Sequence, residues 1–388
     1  MSKARRPATI VASAGTRGDP GYGSVSPPVW TSDTYRWPDS DTKPTYDYSR
    51  TVNPNRDLLS EALAELEGAA GGAVTGSGQS AALLALLLLP AGALVVAPHD
   101  CYGGTFRLIK GLEAQGKLRA LFVDQNDERA LAEALDRGPA LVWIETPSNP
   151  LLRIVDIAAC AAAAKAAGAL VVADNTLLTP CRQRPLDLGC DLVMHSTTKA
   201  LNGHSDLFGG ALLAADPELV ERIHWWANAA GLSASAQDAA QTLRGLRTLP
   251  LRIDRQEATA KRLAGWLEEQ EGVLELHYPG LDTFPGKKLA ERQQQGPGFM
   301  ISFRVKGGEA ATHGFLAALE TITLASSLGG YATLICKPST MTHRGMPPEA
   351  QAEAGIHGDL LRLSVGLEEA EDLAADLERG FAAAGQGG

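Results

Sequence analysis

The feature that most constrains this chain is a rhythm of short apolar runs separated by helical stretches, sustained from about residue 73 to residue 215. The runs are ALVVAP (93–98), ALFVD (120–124), ALVWIETP (140–147), ALVVADNT (169–176), LVMHSTTK (192–199) and GGALLAA (209–215). Helical candidates lie between most of them, among them LAEALDRG and the alanine-rich AACAAAAKAAG. Continuous runs of branched aliphatic residues with intervening helices predict parallel strands buried on both faces. The expected fold is therefore α/β, a doubly wound and mostly parallel sheet. Ligands of such sheets bind beyond the carboxyl ends of the strands. The polar residues closing these runs (Asp100, Glu145, Asn149, Asp174, Asn175, Ser196 and Lys199) are expected to converge on one crevice.

The length of 388 residues suits two domains. Residues 1–56 are rich in Pro, Gly, Ser, Thr and Tyr, lack periodicity, and read as an extended arm. Leu59, Leu63 and Leu66 then space a helix, with Asn55 or Asp57 expected as its cap and Gly68 as its stop. We place the large α/β domain at 57–245. A smaller α+β domain follows at 246–388, where the strand candidates GFMISFRV and LLRLSVGL mix with helices. Arg244, Arg247, Arg252 and Arg255 at the junction are read as surface or interface ion pairs and not as ligand contacts.

Composition narrows the function. Hydrophobic residues at 45% and charged residues at 21% allow a sizeable core. The net charge of −10 argues against nucleic acid or an anionic membrane as partner. Any anionic ligand must be met by a few placed arginines and backbone amides. Five cysteines without a CxxC pair make neither a disulfide framework nor a zinc signature. His195, His204, His313, His343 and His357 show no metal-ligand spacing. His99 and Cys101 flank Asp100, but neighbours in sequence do not form a nucleophilic dyad. The basic N-terminus has no apolar h-region, and the run Ala81–Leu89 is too short to span a bilayer. A cytoplasmic protein with no metal is expected.

The strongest chemical pattern is Asp174 in VVADNTLLTP followed 25 residues later by Lys199 in HSTTK, each expected to end a neighbouring strand. Catalysis by pyridoxal 5′-phosphate (PLP) needs a lysine for the Schiff base and an acid group against the ring nitrogen. The same two residues could instead form a salt bridge or a cap. GSGQSAALLALLLL (76–89) is a glycine-rich turn entering an apolar helix, whose amides at Gly78 and Gln79 would meet an anion. A plain turn capped by serine is the alternative. With no GK[ST] and no GxGxxG, it is neither a P-loop nor a dinucleotide site. Ser196 and Thr198 offer hydroxyls to the same phosphate. Tyr102, after ALVVAP, could stack on a planar cofactor or fill a half-buried core position. Arg362 in LLRLSVGLE offers a bidentate fork to a carboxylate, or an internal ion pair.

With these residues in view, the chain resembles the PLP enzymes of cysteine and methionine metabolism. The likeness runs from about Ala8 to the last helix. It rests on YSRTVNP (48–54), APHDCYGGTFRL (97–108), PSNPLLRIVDIA (147–158), ADNT (173–176), LNGHSDLFGG (201–210), WWAN (225–228), ERQQQGPGF (291–299) and LRLSVGLE (361–368). The resemblance implies a fold-type-I, aspartate-aminotransferase-like architecture. Lys199 would be the Schiff-base lysine and mobile acid–base, with Asp174 on the pyridinium and Tyr102 stacked on the ring. Gly78, Gln79, Ser196 and Thr198 would hold the phosphate. Tyr48 and Arg50 would reach the phosphate of a neighbouring subunit, making a homotetramer from two active dimers. Arg362, with Asn149 and Ser327, would bind the substrate α-carboxylate; Arg107 would meet a distal carboxylate and Asp47 the substrate channel.

The branch most resembled performs γ-replacement, forming L-cystathionine from O-succinyl-L-homoserine (or another O-acylhomoserine) and L-cysteine. A γ-eliminating branch, which splits cystathionine into cysteine, 2-oxobutanoate and ammonia, shares every catalytic residue named. Homoserine sulfhydrylases and β-lyases are more distant. Six positions depart from the replacement pattern: Thr51 for a second arginine, Tyr331-Ala332-Thr333 for Val-Glu-Ser, Ala200 for Tyr, and Gln79 for Met. The cofactor set is intact; the substrate set is altered.

Overall fold

The structure is a computed structural model and describes residues 5–385. Its strands are β1 (Gly71–Thr75), β2 (Ala93–Pro98), β3 (Leu118–Val123), β4 (Leu141–Glu145), β5 (Leu170–Asp174), β6 (Leu192–His195) and β7 (Gly210–Ala214), followed by β8 (Val273–His277), β9 (Met300–Val305), β10 (Thr323–Leu324), β11 (Leu334–Cys336) and β12 (Leu360–Ser364). The chain divides into two compact units, residues 1–90 with 170–250 and residues 91–169 with 251–388.

In the first unit the strand order is β1-β7-β6-β5. β5 and β6 run parallel, with Asp174 opposite Met194. β7 is antiparallel to both β6 and β1. The run GGALLAA looks like any other buried strand, since composition carries no direction. Its antiparallel course means that the segment 196–209, which holds Lys199, turns the chain back between neighbouring strands. β6 itself ends at His195. Lys199 therefore lies in the turn beyond the strand, where its backbone N–H donates to Ser196 O at 3.2 Å.

The helix Pro54–Glu67 packs in this unit. Its cap is Asn53, whose side chain accepts from Asn55 N, so neither Asn55 nor Asp57 caps it. Asn55 is instead buried, accepting from Trp30 N and donating to Pro28 O. Gly68 ends the helix at φ 74°, in the left-handed region that favours glycine. The arm includes one short helix, Pro7–Ser13, which Pro at its first position and a single turn of apolar residues left without readable periodicity.

In the second unit β2 pairs in parallel with β3 and with β4. All six residues of β2 and all five of β4 are buried, as strands covered on both faces require. A second sheet, ordered β10-β11-β12-β9-β8, is antiparallel except at β10–β11. Its core includes Phe303, Phe315, Leu361, Leu363, Leu373 and Leu377. Phe381 joins Phe303 and Phe315 in an aromatic triangle with ring centroids 4.9–6.1 Å apart.

The same unit holds a buried carboxylate, Asp376, on the helix Ala370–Ala384. It accepts from the backbone N–H groups of Glu320, Thr321 and Ile322 at 2.8–3.0 Å and from Arg379 Nη2 at 2.9 Å. Burial opposes its charge, but the three N–H donors and Arg379 outweigh it and hold the carboxyl below its ordinary value. Replacing Asp376 with Ala leaves those amides without an acceptor and should destabilise the protein by about 3 kcal/mol, read as a lower urea midpoint. Because the folded value is depressed, this contribution is complete above about pH 4 and fades as pH falls through the folded value, so the two curves should converge in acid.

Candidate active site

The functional side chains form one group in each unit. In the first, Asp174 closes β5 half-buried, its Oδ1 accepting from Thr176 N at 3.0 Å. Thr176 Oγ1 accepts from Ser196 N at 2.8 Å, so this small loop ties the end of β5 to the segment leading into Lys199. Thr198 is fixed from the far side of the turn: its Oγ1 donates to Gly209 O at 3.2 Å and accepts from Gly209 N at 3.0 Å. Burial pushes the Asp174 carboxyl up, while the Thr176 donors and the nearby His195 favour its ionised form.

Gly78 and Gln79 open the helix Gly78–Leu87, capped by Ser77 through Ser80 N. Helix-start amides have no acceptor within their own helix and present the positive end of its dipole. Gly78 lies so close to Ser196 that a Cβ there would meet Ser196 Cβ at 2.7 Å and Cα at 3.1 Å. Glycine is thus required by the close approach of the helix start to Ser196.

The arm's candidate residues Asp47, Tyr48, Arg50 and Thr51 are exposed or half-buried. Arg50 Nη1 donates to Asn228 Oδ1 at 2.6 Å and to Asn228 O at 3.0 Å, and its guanidinium lies 5.5 Å from the Tyr48 ring centroid. Asp47 Oδ1 accepts from Tyr48 N at 2.7 Å and pairs with Lys43 at 3.6 Å. Thr51 Oγ1 donates to Asn228 Oδ1 at 3.3 Å. Asn228 of the WWAN motif is therefore the anchor of this stretch.

In the second unit Arg362, in the middle of β12, is buried. Its Nη1 donates to Asn149 Oδ1 and its Nη2 to Ser327 O, each at 2.8 Å, while Nε is buried without a hydrogen-bond partner. Ser327 takes φ 97°, a strained left-handed conformation for a residue with a Cβ. That conformation aims its carbonyl at the arginine. Gly329 N donates to Ser364 Oγ and Gln256 Nε2 to Gly330 O, holding the loop in place. An arginine fixed at two nitrogens with a third buried and unsatisfied is built to receive an anion.

Tyr102, 36% exposed, begins the helix Gly103–Ala114, and its backbone N–H donates to Glu145 Oε2 at 2.8 Å. Asp100 is buried, accepting from Ser148 Oγ at 2.6 Å and Arg153 Nη1 at 3.1 Å, which joins the Tyr102 loop to the loop carrying Asn149. Arg107 on the same helix is exposed; Gly345 packs against its side chain. His343, unremarkable in the sequence, is wholly buried beside Arg362. Burial, then the Arg362 charge, push its ring down to about 3, so it stays neutral there. Asp100 and Glu145 were expected at the crevice as strand-end polar residues, whereas His343 escaped sequence reasoning because its place beside Arg362 depends on packing between distant segments.

Residues 8–382 match the family described as Cys/Met metabolism PLP-dependent enzyme. The chain is 49% identical over 384 residues to cystathionine gamma-synthase of Escherichia coli (strain K12), covering 99% of this chain and 100% of that protein. It is 40% identical over 369 residues to cystathionine gamma-lyase of Bacillus subtilis (strain 168), covering 95% and 97%. The crystal structure of cystathionine gamma synthase from Xanthomonas oryzae pv. oryzae in complex with aminoacrylate and cysteine matches at 49% identity and a TM-score of 0.98, covering 99% and 100%. The architecture is accordingly that of a fold-type-I PLP-dependent enzyme. The chain belongs to the Cys/Met metabolism PLP-dependent enzymes, and its cofactor is pyridoxal 5′-phosphate.

The first unit's residues suit that cofactor. The helix-start amides of Gly78 and Gln79, with Ser196 close by, could hold a phosphate. A cationic ring nitrogen would offset the burial that disfavours the Asp174 carboxylate. Among the described residues, no group of His, Cys, Asp and Glu is arranged to hold a metal, and no helix is long and apolar enough to cross a membrane. Gly78→Ala forces the helix start away from Ser196. It should raise the PLP dissociation constant about tenfold, as overpacking of 1–3 kcal/mol implies, with the apo protein still folded; absorbance titration of apo protein with PLP checks it.

Proposed function

We propose that this chain performs γ-replacement, forming L-cystathionine from L-cysteine and an O-acylated homoserine, with O-succinyl-L-homoserine the first candidate. The observation that carries the reading is the 49% identity to a cystathionine gamma-synthase across 99% of the chain. When bound, PLP supplies an electron sink for the electron pairs released at the substrate's Cα and Cβ. The remaining work belongs to the chain's own residues.

Lys199 is the covalent attachment point. Freed when substrate binds, its Nζ would move one proton at a time, at Cα and then at Cβ; the acyl group would leave Cγ as a free carboxylate and the cysteine sulfur would bond to Cγ in its place. Asp174 keeps a proton on the ring nitrogen and Tyr102 stacks on the ring. Gly78, Gln79, Ser196 and Thr198 hold the phosphate, and Tyr48 and Arg50 reach that of a neighbouring subunit. Arg362, aligned by Asn149 and Ser327, grips the α-carboxylate. Arg107 meets the distal carboxylate of the succinyl group, and Asp47 borders the substrate channel. The working assembly in this reading is a cytoplasmic homotetramer made of two active dimers, acting on amino-acid substrates alone. The division of labour follows 57–245 for the cofactor and 246–388 for the smaller domain, with the 1–56 arm serving the neighbouring site.

γ-Elimination is the second reading, and two positions favour it. Thr51 offers a hydroxyl where a second arginine would meet the distal carboxylate. Ala332 offers no carboxylate to orient incoming cysteine. Its neighbour Thr333 is occupied in support: its N–H and Oγ1 donate to Glu368 at 2.7 and 2.6 Å, and Oγ1 accepts from Gly366 N.

Product identification by mass spectrometry separates the two. Incubation with O-succinyl-L-homoserine should yield cystathionine only when L-cysteine is present, whereas cysteine, 2-oxobutanoate and ammonia released from cystathionine, with little synthesis, would make the chain a γ-lyase. Borohydride reduction should fix PLP to the peptide containing Lys199, and Lys199→Ala should lose both that label and turnover. Arg107→Ala should raise KM for the succinyl substrate about tenfold or more while kcat changes little; an unchanged KM removes Arg107 from the substrate site.

A further inference from the structure

We propose that Glu67 is a positioning residue for the cofactor's ring-nitrogen acid, Asp174, acting with His195 from the opposite face of the sheet. This rests on the family's cofactor and not on which reaction the enzyme performs.

Glu67 is the last residue of the helix Pro54–Glu67 and is completely buried. Its Oε1 accepts from Asn175 Nδ2 at 2.8 Å and lies 2.7 Å from His195 Nε2. Asn175 directly follows Asp174, and His195 directly precedes Ser196. In extended chain, neighbouring side chains point to opposite faces. One carboxylate oxygen thus holds, from behind, the ends of the two strands that carry Asp174 and the Lys199 turn on the front. Asn175 is secured further, donating to Gln183 O at 2.7 Å and accepting from Gln183 Nε2 at 3.1 Å.

Stability alone does not account for this arrangement. A carboxylate at a helix C-terminus meets the negative end of the helix dipole. Burying it with an imidazole is no better for stability than an apolar pair of similar volume. The network is also incompletely satisfied, because Glu67 Oε2 and His195 Nδ1 are both buried without a hydrogen-bond partner. Such a placement makes sense if it sets the positions of Asn175 and His195. Glu67 Oε1 fixes the His195 ring through its Nε2, and the Asn175 amide beside Asp174 through its Nδ2. His195, held by Glu67, favours the ionised form of Asp174 against its burial.

The test uses full-length protein carrying Glu67→Ala or Glu67→Gln. The readouts are the PLP dissociation constant, the absorption spectrum of the bound cofactor, and the rise in melting temperature that PLP confers. Glu67→Ala should bind PLP roughly tenfold more weakly. Its spectrum should move toward an unprotonated ring, and the PLP-dependent rise in melting temperature should shrink. Glu67→Gln, whose amide oxygen still accepts from Asn175, should fall between Ala and wild type. A purely structural role would lower apo and holo melting alike and leave affinity and spectrum within about twofold of wild type; that result overturns the proposal. If Glu67→Ala does not fold, Glu67→Gln decides on the same readouts: wild-type affinity and spectrum refute it, and weaker binding with a shifted spectrum sustains it. Product identity does not enter, so failure here leaves the reaction assignment standing.

Discussion

The parallel pairing of β5 with β6 is the constraint on which the first unit's chemistry depends. It sets Asp174 opposite Met194 and brings the ends of both strands to the same edge. Asp174, Ser196 and the Lys199 turn then follow within a few residues, without any long loop having to be ordered. The short connection through Thr176 Oγ1 and Ser196 N makes the spacing between acid and lysine a property of the sheet. Placing reactive groups on a rigid edge limits the ordering entropy that substrate binding would otherwise have to overcome.

The second unit solves a different problem, the holding of a buried cation. An arginine inside a sheet is unfavourable unless its donors are met. Asn149 and the Ser327 carbonyl meet two of its nitrogens and leave Nε buried and unmet. The strain at Ser327, of the order of 1–3 kcal/mol for a left-handed non-glycine residue, is held in place by Ser364 and Gln256. A neutral His343 beside Arg362 adds no competing charge.

Much of this was legible in the chain because buried parallel strands leave an unmistakable pattern. The runs at 93–98, 140–147 and 169–176 became β2, β4 and β5 with small shifts at their ends. The glycine turn before 78 and its serine cap were readable, since cap chemistry is local. Directions and partners were not. GGALLAA gave no sign that β7 runs antiparallel. The cap of the helix Pro54–Glu67 fell to Asn53 because the neighbouring Asn55 was drawn into contacts with Pro28 and Trp30, more than 20 residues away.

By itself the sequence determined the α/β class, which depends on periodicity, and nominated Asp174, Lys199 and Arg362 through motifs of residues adjacent in the chain that resemble those of the family. Tertiary structure alone decided that Lys199 lies in a turn after β6, that Gly78 must be glycine because Ser196 presses against it, and that Ser327 bends to present its carbonyl. It also decided that Glu67 lies beneath Asn175 and His195, more than 100 residues away in the chain. The physical reason is one of range. Hydrophobic period and capping act over a few residues, whereas burial, close approach and hydrogen-bond satisfaction are settled only when distant segments pack together.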